Sequence, residues 1–155
     1  MKSTKSKGFT LIELLVVIGI LAVLLAITLI AINPARQFSQ SNNTKRRSDV
    51  NAVLNAINQY MADNKGTLPT GIDATLRTIT NDPVNPAGVD LCTTLVTQYI
   101  AALPVDPLTN NGTPVSNCAA GTYDTNYTVQ RSAADNRITI RAPAAELGEV
   151  IEVTR

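Results

Sequence analysis

Glu13 is a carboxylate in an apolar neighbourhood. The residues that follow it, Leu14 to Ile32, carry no charge and one polar side chain, Thr28. An acid so placed needs hydrogen-bond donors or a cation, and the nearest charges in the chain are Lys2, Lys5 and Lys7 on its amino side. Elsewhere, Cys92 and Cys118 permit one disulfide and no four-cysteine metal cluster. Asp106, Asp124 and Asp135 could offer oxygens to a hard cation. No D-x-D-x-D-G spacing is present, so calcium is the lesser option and neither metal nor cofactor is expected. Lys45, Arg46 and Arg47 form a basic patch able to meet phosphates or an acidic neighbour. Without interleaved aromatics it reads as a solvated face or a subunit contact rather than a nucleic-acid site. Histidine is absent, which removes imidazole bases, His-containing zinc sites and Ser-His-Asp triads. No G-x-x-x-x-G-K-[ST] loop appears either, so a P-loop ATPase is not expected, and the chain is not expected to be an enzyme.

The elements that position these groups begin with the apolar run. At about 1.5 Å rise per residue, Leu14 to Ile32 covers roughly 28 Å, close to the hydrocarbon thickness of a bilayer. The acid-free flank "MKSTKSK" keeps the amino end in the cytoplasm by the positive-inside bias and sends the remainder outward. A cleaved secretory signal would need a shorter apolar stretch and a small-residue site, which "IAINPARQ" does not offer. A plain single-pass anchor accounts for the length and the lysines but leaves Glu13 to snorkel without purpose.

One interpretation uses every residue. The stretch "KGFTLIE" resembles the processing site of type IV prepilins, a class that includes the pseudopilins of type II secretion. The resemblance implies a basic leader, Met1 to Gly8, that a membrane peptidase removes on the cytoplasmic side. It implies N-methylation of the new terminus, Phe9, by the same enzyme. Glu13, four residues on, would then meet the freshly made α-ammonium of a neighbouring subunit and set the stagger of packed helices. The resemblance is dense over about the first 60 residues and thin afterwards, although "LPVDPL" is similar to an LP-x-DP segment of major pseudopilins.

Further along, Asn33-Pro34 interrupts the apolar run. Either Asn33 caps a new helix with Pro34 at its first position, or one helix continues through a kink; the resemblance favours the kink. Val50, Val53, Leu54, Ile57, Tyr60 and Met61 recur at helical spacing and predict one apolar stripe, with Gly66 as a stop. From Thr67 the chain is rich in Pro, Gly, Asn, Asp and Thr, the residues of loops. "LCTTLVTQYIAAL" predicts a short helix within them, with Leu91, Leu95, Ile100 and Leu103 packing inward. "YTVQR", "RITIRA" and "EVIEVT" predict three antiparallel strands, the first two a hairpin. The expected domains are a leader (1–8), a transmembrane and polymerisation helix (9–33), an amphipathic continuation (34–65) and a loop-rich head (66–155). The fold class is α+β, a long amino-terminal helix on a small antiparallel sheet. Cys92 and Cys118 fall on the exported side, where a disulfide between them persists; two buried free thiols are the alternative.

The function this pattern implies is a structural subunit of a type IV pilus, polymerised through its amino-terminal helix for adhesion, motility or DNA uptake. A major pseudopilin of a type II secretion system is the close alternative. A monomeric membrane-anchored binding protein is the alternative of another class. The expected partners are further copies of the chain in a helical filament, the peptidase/methylase, and assembly machinery in the inner membrane. The precursor is placed in that membrane with its amino end in the cytoplasm, and the assembled form in a periplasmic or extracellular filament. Removing the leader leaves 10 cationic against 12 acidic side chains, a near-neutral surface that lets like subunits pack.

Overall fold

The computed structural model describes residues 8–85 and 87–155. The chain divides into two units, residues 1–38 and 39–155. In the first, helix α1 spans Leu11–Ile32. Its run of Leu, Ile, Val and Ala contains no proline, and Thr28 turns its hydroxyl onto the Leu25 carbonyl at 2.9 Å, so the one polar side chain after Glu13 finds its partner within the helix. Apolar side chains surround the helix on every side. None of its membrane-length window, Leu11–Ala31, is buried by the rest of the chain. A helix apolar all round belongs in lipid or among other helices.

Asn33 ends α1 in the left-handed region, at φ 46°. Helix α2, Pro34–Asp63, begins immediately after it. The Arg36 N–H donates to Asn33 Oδ1 at 3.3 Å and to the Asn33 carbonyl at 3.1 Å. Asn33 therefore caps a new helix with Pro34 in its first turn, and the continuous kinked helix suggested by the resemblance is corrected. Asparagine tolerates left-handed backbone, and proline gives up an amide that a first turn leaves unpaired anyway. At the other end Gly66, φ 83°, donates its N–H to the Met61 carbonyl at 2.8 Å and stops the helix.

Within residues 39–155, α2 lays Val50, Val53, Leu54 and Ile57 against a five-stranded sheet; Tyr60 and Met61 are half-buried at the margin. The strands are β1 (Arg77–Thr80), β2 (Gly88–Val89), β3 (Asp124–Arg131), β4 (Ile138–Ala142) and β5 (Ile151–Thr154), in the order β2-β1-β3-β4-β5. Ile79, Tyr127, Val129, Ile138, Ile140 and Ile151 face the helix. Leu91, Leu95 and Leu103 close the core from the loop side.

The class is α+β, but the sheet is mixed, not antiparallel throughout. β2 runs parallel to β1, pairing Thr78 with Gly88 and Ile79 with Val89. Gly88 makes this possible, because a Cβ there would stand 2.5 Å from Thr80 Cγ2. The expected helix around Cys92 is a single turn, α3 (Cys92–Leu95). It ends where Val96 turns extended and Thr97 adopts φ 73°, consistent with the β-branched run at Thr93, Thr94, Val96 and Thr97.

Candidate assembly site

The first described residues lead into α1 through a reciprocal cap. Thr10 N–H and Oγ1–H donate to Glu13 Oε2 at 2.8 and 2.7 Å, and Glu13 N–H donates to Thr10 Oγ1 at 3.3 Å. This capping box closes two of the amide donors that a helix start leaves open. Both bonds to the carboxylate use Oε2, so among the described residues Oε1 keeps its lone pairs for another donor. Phe9 is 87% exposed beside it. Among the described residues a Cβ placed on Gly8 would meet nothing within 4 Å, so no crowding among them calls for glycine at that position. Lys2, Lys5 and Lys7 lie outside the described residues.

In the second unit Cys92 and Cys118 form a disulfide with a Cα–Cα distance of 5.6 Å. It closes the segment that carries Leu103 and Asp106, and the Cys92 N–H is further held by Asp90 Oδ1 at 2.8 Å.

The basic patch resolves into three different situations. Lys45 donates to Asp49 Oδ2 at 2.8 Å and to the Val105 carbonyl at 3.0 Å. Arg47 pairs with Glu149 at the surface. Arg46 is fully buried, which corrects its reading as part of a solvated or docking face. Its Nε donates to Asp106 Oδ2 at 2.6 Å and its Nη2 to Asp106 Oδ1 at 3.2 Å, a two-pronged grip on a carboxylate that is itself fully buried. Its Nη1 donates to Glu146 Oε2 at 2.7 Å and to Asn43 Oδ1 at 3.0 Å.

The planar guanidinium suits this use, because its fork matches a carboxylate and still has donors to spare. Burial pulls the Arg46 pKa down, and the hydrogen bonds to Asp106 and Glu146 more than reverse it, leaving it raised. Glu146 is drawn down to about 2 by the Arg46 bond first, then by Asn42 and Ser39. Tyr127 donates to Asp49 Oδ2 at 2.7 Å. Burial, and then that carboxylate, push its phenol well above the ordinary tyrosine value. The cluster thus ties α2 to the Asp106 loop, to the loop before β5 and to β3.

Asp106 is therefore taken by Arg46. Asp124 accepts the Asn126 N–H at 2.7 Å, and Asp135 faces Arg137. Among the described residues no three metal-ligating side chains come together. Sequence reasoning missed Asn43, Asp49 and Glu146 as partners. The available signal was the register of the helix: Asn43, Arg46, Val50, Val53 and Ile57 share the inward stripe at spacings of three and four.

An apolar, uncovered helix with an acid-capped start, followed by a disulfide-stapled α+β head, defines a pilin-like membrane-anchored subunit. Residues 3–29 match the prokaryotic N-terminal methylation motif. The chain is 32% identical to type II secretion system core protein G of Escherichia coli strain K12, over 77% of this chain and 79% of that one. It is 31% identical to core protein G of Pseudomonas aeruginosa, over 79% of this chain and 80% of that one. The Vibrio cholerae protein of the same name is 32% identical, over 79% and 80%. No solved structure matches significantly. The chain belongs to the family of type II secretion system core protein G, the pseudopilins. All three relatives named are type II secretion proteins rather than type IV pilus subunits.

Proposed function

We propose that this chain is the major structural subunit of a short periplasmic filament in a type II secretion system. It is made as a precursor that is cut between Gly8 and Phe9 and N-methylated at Phe9. The observation that carries the reading is the combination of core protein G similarity across more than three quarters of the chain with G-F-T-L-I-E at an exposed, capped helix start.

Cleavage frees an α-ammonium on Phe9, cationic at neutral pH. Thr10 already orients the Glu13 carboxylate, and its free Oε1 can accept that ammonium from a neighbouring copy. The cap supplies the pre-organisation and the neighbour supplies the counter-charge. Affinity comes from side-by-side packing of α1 helices, and the ion pair fixes their axial stagger.

Mass spectrometry of the membrane protein tests the processing, and a chain beginning at N-methylated Phe9 is expected. Electron microscopy of purified assemblies tests the rest, with short filaments from the wild type and none from Glu13→Leu, which still inserts. Retention of residues 1 to 8 in the mature chain would return it to a monomeric anchored protein. Abundant long surface fibres would return it to the pilus.

A further inference from the structure

The first unit runs on past its apolar helix. The membrane-length window closes at Ala31, and the unit continues to Phe38. Within that extension Pro34, Ala35, Arg36 and Phe38 are all exposed, Phe38 to 72%. Every other large apolar side chain of α2 is buried or half-buried. Pro34, Ala35 and Phe38 fall at i, i+1 and i+4 and share one face of the first turn, with Arg36 on another. Arg36 forms no ion pair among the described residues, and residues 14 to 48 contain no acid.

Helix geometry sets the heights of these groups. At about 1.5 Å per residue, the Cα of Arg36 stands at most roughly 8 Å beyond Ala31 and that of Phe38 at most roughly 10 Å, and any tilt or turn at Asn33 lowers both. Side chains of a helix lean towards its amino end, here back towards the membrane, so the Phe38 ring lies over the preceding turn, at the level of Pro34 and Ala35. The headgroup layer on each side of a bilayer is about 5–8 Å deep.

We propose that Phe38 and Arg36 seat in the headgroup layer of the membrane that α1 spans, the ring at the acyl boundary and the guanidinium on lipid phosphate. Headgroups surround the helix at that depth, so an aromatic on one face and a cation on another both reach them. Phenylalanine is among the residues that interfacial helices sink to this boundary. Guanidinium matches phosphate with paired donors, anionic lipid adds attraction, and no neighbouring acid opposes it. The inference rests on the membrane anchorage of α1 and not on filament formation. Any assembly step that withdraws the chain must lift both residues off the headgroups.

The chain contains no tryptophan, so Phe38→Trp places a single reporter at the site. The full-length variant, in vesicles of phosphatidylcholine and phosphatidylglycerol dilute enough to keep chains single, is expected to emit to the blue of free tryptophan. Lipid brominated near the glycerol end of its chains should quench it more than lipid brominated near the methyl end. Leu108→Trp, at an exposed position of the second unit, should emit as in water and escape both. Adding Arg36→Glu to Phe38→Trp should lower the quenching, and more so with phosphatidylglycerol present than in phosphatidylcholine alone. Water-like emission from position 38 overturns the proposal. So does a blue shift that neither brominated lipid quenches, which would put protein and not lipid over the ring. Quenching that Arg36→Glu leaves unchanged in both vesicles overturns the arginine contact. Wild-type chain stripped from vesicles by alkaline carbonate overturns the anchorage itself, and the proposed function with it.

Discussion

Replacing Arg46 by methionine preserves most of its aliphatic reach and deletes the guanidinium. What remains is Asp106, with no exposed side-chain surface, stripped of both bonds from Arg46. Among the described residues only the Leu108 N–H, at 2.9 Å, still reaches its carboxylate. Stranding one member of a buried ion pair costs on the order of 3–5 kcal/mol. Glu146 adds little to that cost, because it keeps Ser39 and Asn42 and its side chain is 27% exposed to water. In a head of about 120 residues each kcal/mol moves Tm by about 4 °C, so a fall of roughly 12–20 °C is expected. Near-ultraviolet circular dichroism of the full chain in detergent is the assay, since the buried Tyr127 reports on the head and α1 contributes no aromatic signal. Adding Asp106→Asn removes the stranded charge while leaving an acceptor for Leu108, and should restore most of the loss. A single variant that melts within about 4 °C of the wild type, or a double variant no better than the single, would refute the role assigned to this pair.

Glu146 and Asp73 each sit at about 2, held there first by Arg46 and Arg77 respectively. A depressed carboxylate stabilises the fold fully above its unfolded value and loses that contribution as pH falls through its folded one. Tm should therefore decline from about pH 4.5 towards 2, and Glu146→Gln should flatten that window without altering the slope above pH 5. Opening the Cys92–Cys118 loop, 26 positions apart, by Cys118→Ser should cost about 3.5 kcal/mol in the chain-entropy account, measured by denaturant midpoint. Leu54→Ala, at a fully buried position under the sheet, should cost about 2–5 kcal/mol by the same measurement. Thr10→Val removes the hydroxyl from the helix cap and should slow assembly while Thr10→Ser does not, scored by filament counts.

Much of this architecture is legible in local pattern. The stripe from Val50 to Ile57 faces inward, and the three β-branched stretches near the carboxyl end became β3, β4 and β5, because period and propensity agree there. β1 lies in a stretch whose composition predicts loop: "RTIT" is four residues set among turn formers, and long-range pairing with β3 makes it a strand. β2 has two residues and no local signal at all. The buried cluster was the harder case. In one dimension Arg46 is indistinguishable from Lys45 and Arg47, and only the phase of the helix sends its guanidinium inward. Its carboxylate partners lie 60 and 100 positions away, beyond the reach of spacing arguments. Asp106 was singled out for its oxygens, and a cation does hold them, but that cation belongs to the protein.

Those separations set the order in which the molecule can be completed. A ribosome working at about 5–20 residues per second delivers Glu146 roughly 5–20 s after Arg46. Through that interval the guanidinium has no Glu146 to bind, and the hydrophobic side of its helix lacks the last strand, β5. The head therefore cannot mature by increments from its amino end. Until Glu146 and β5 are made, the Arg46 guanidinium and the apolar side of α2 lack their last partners.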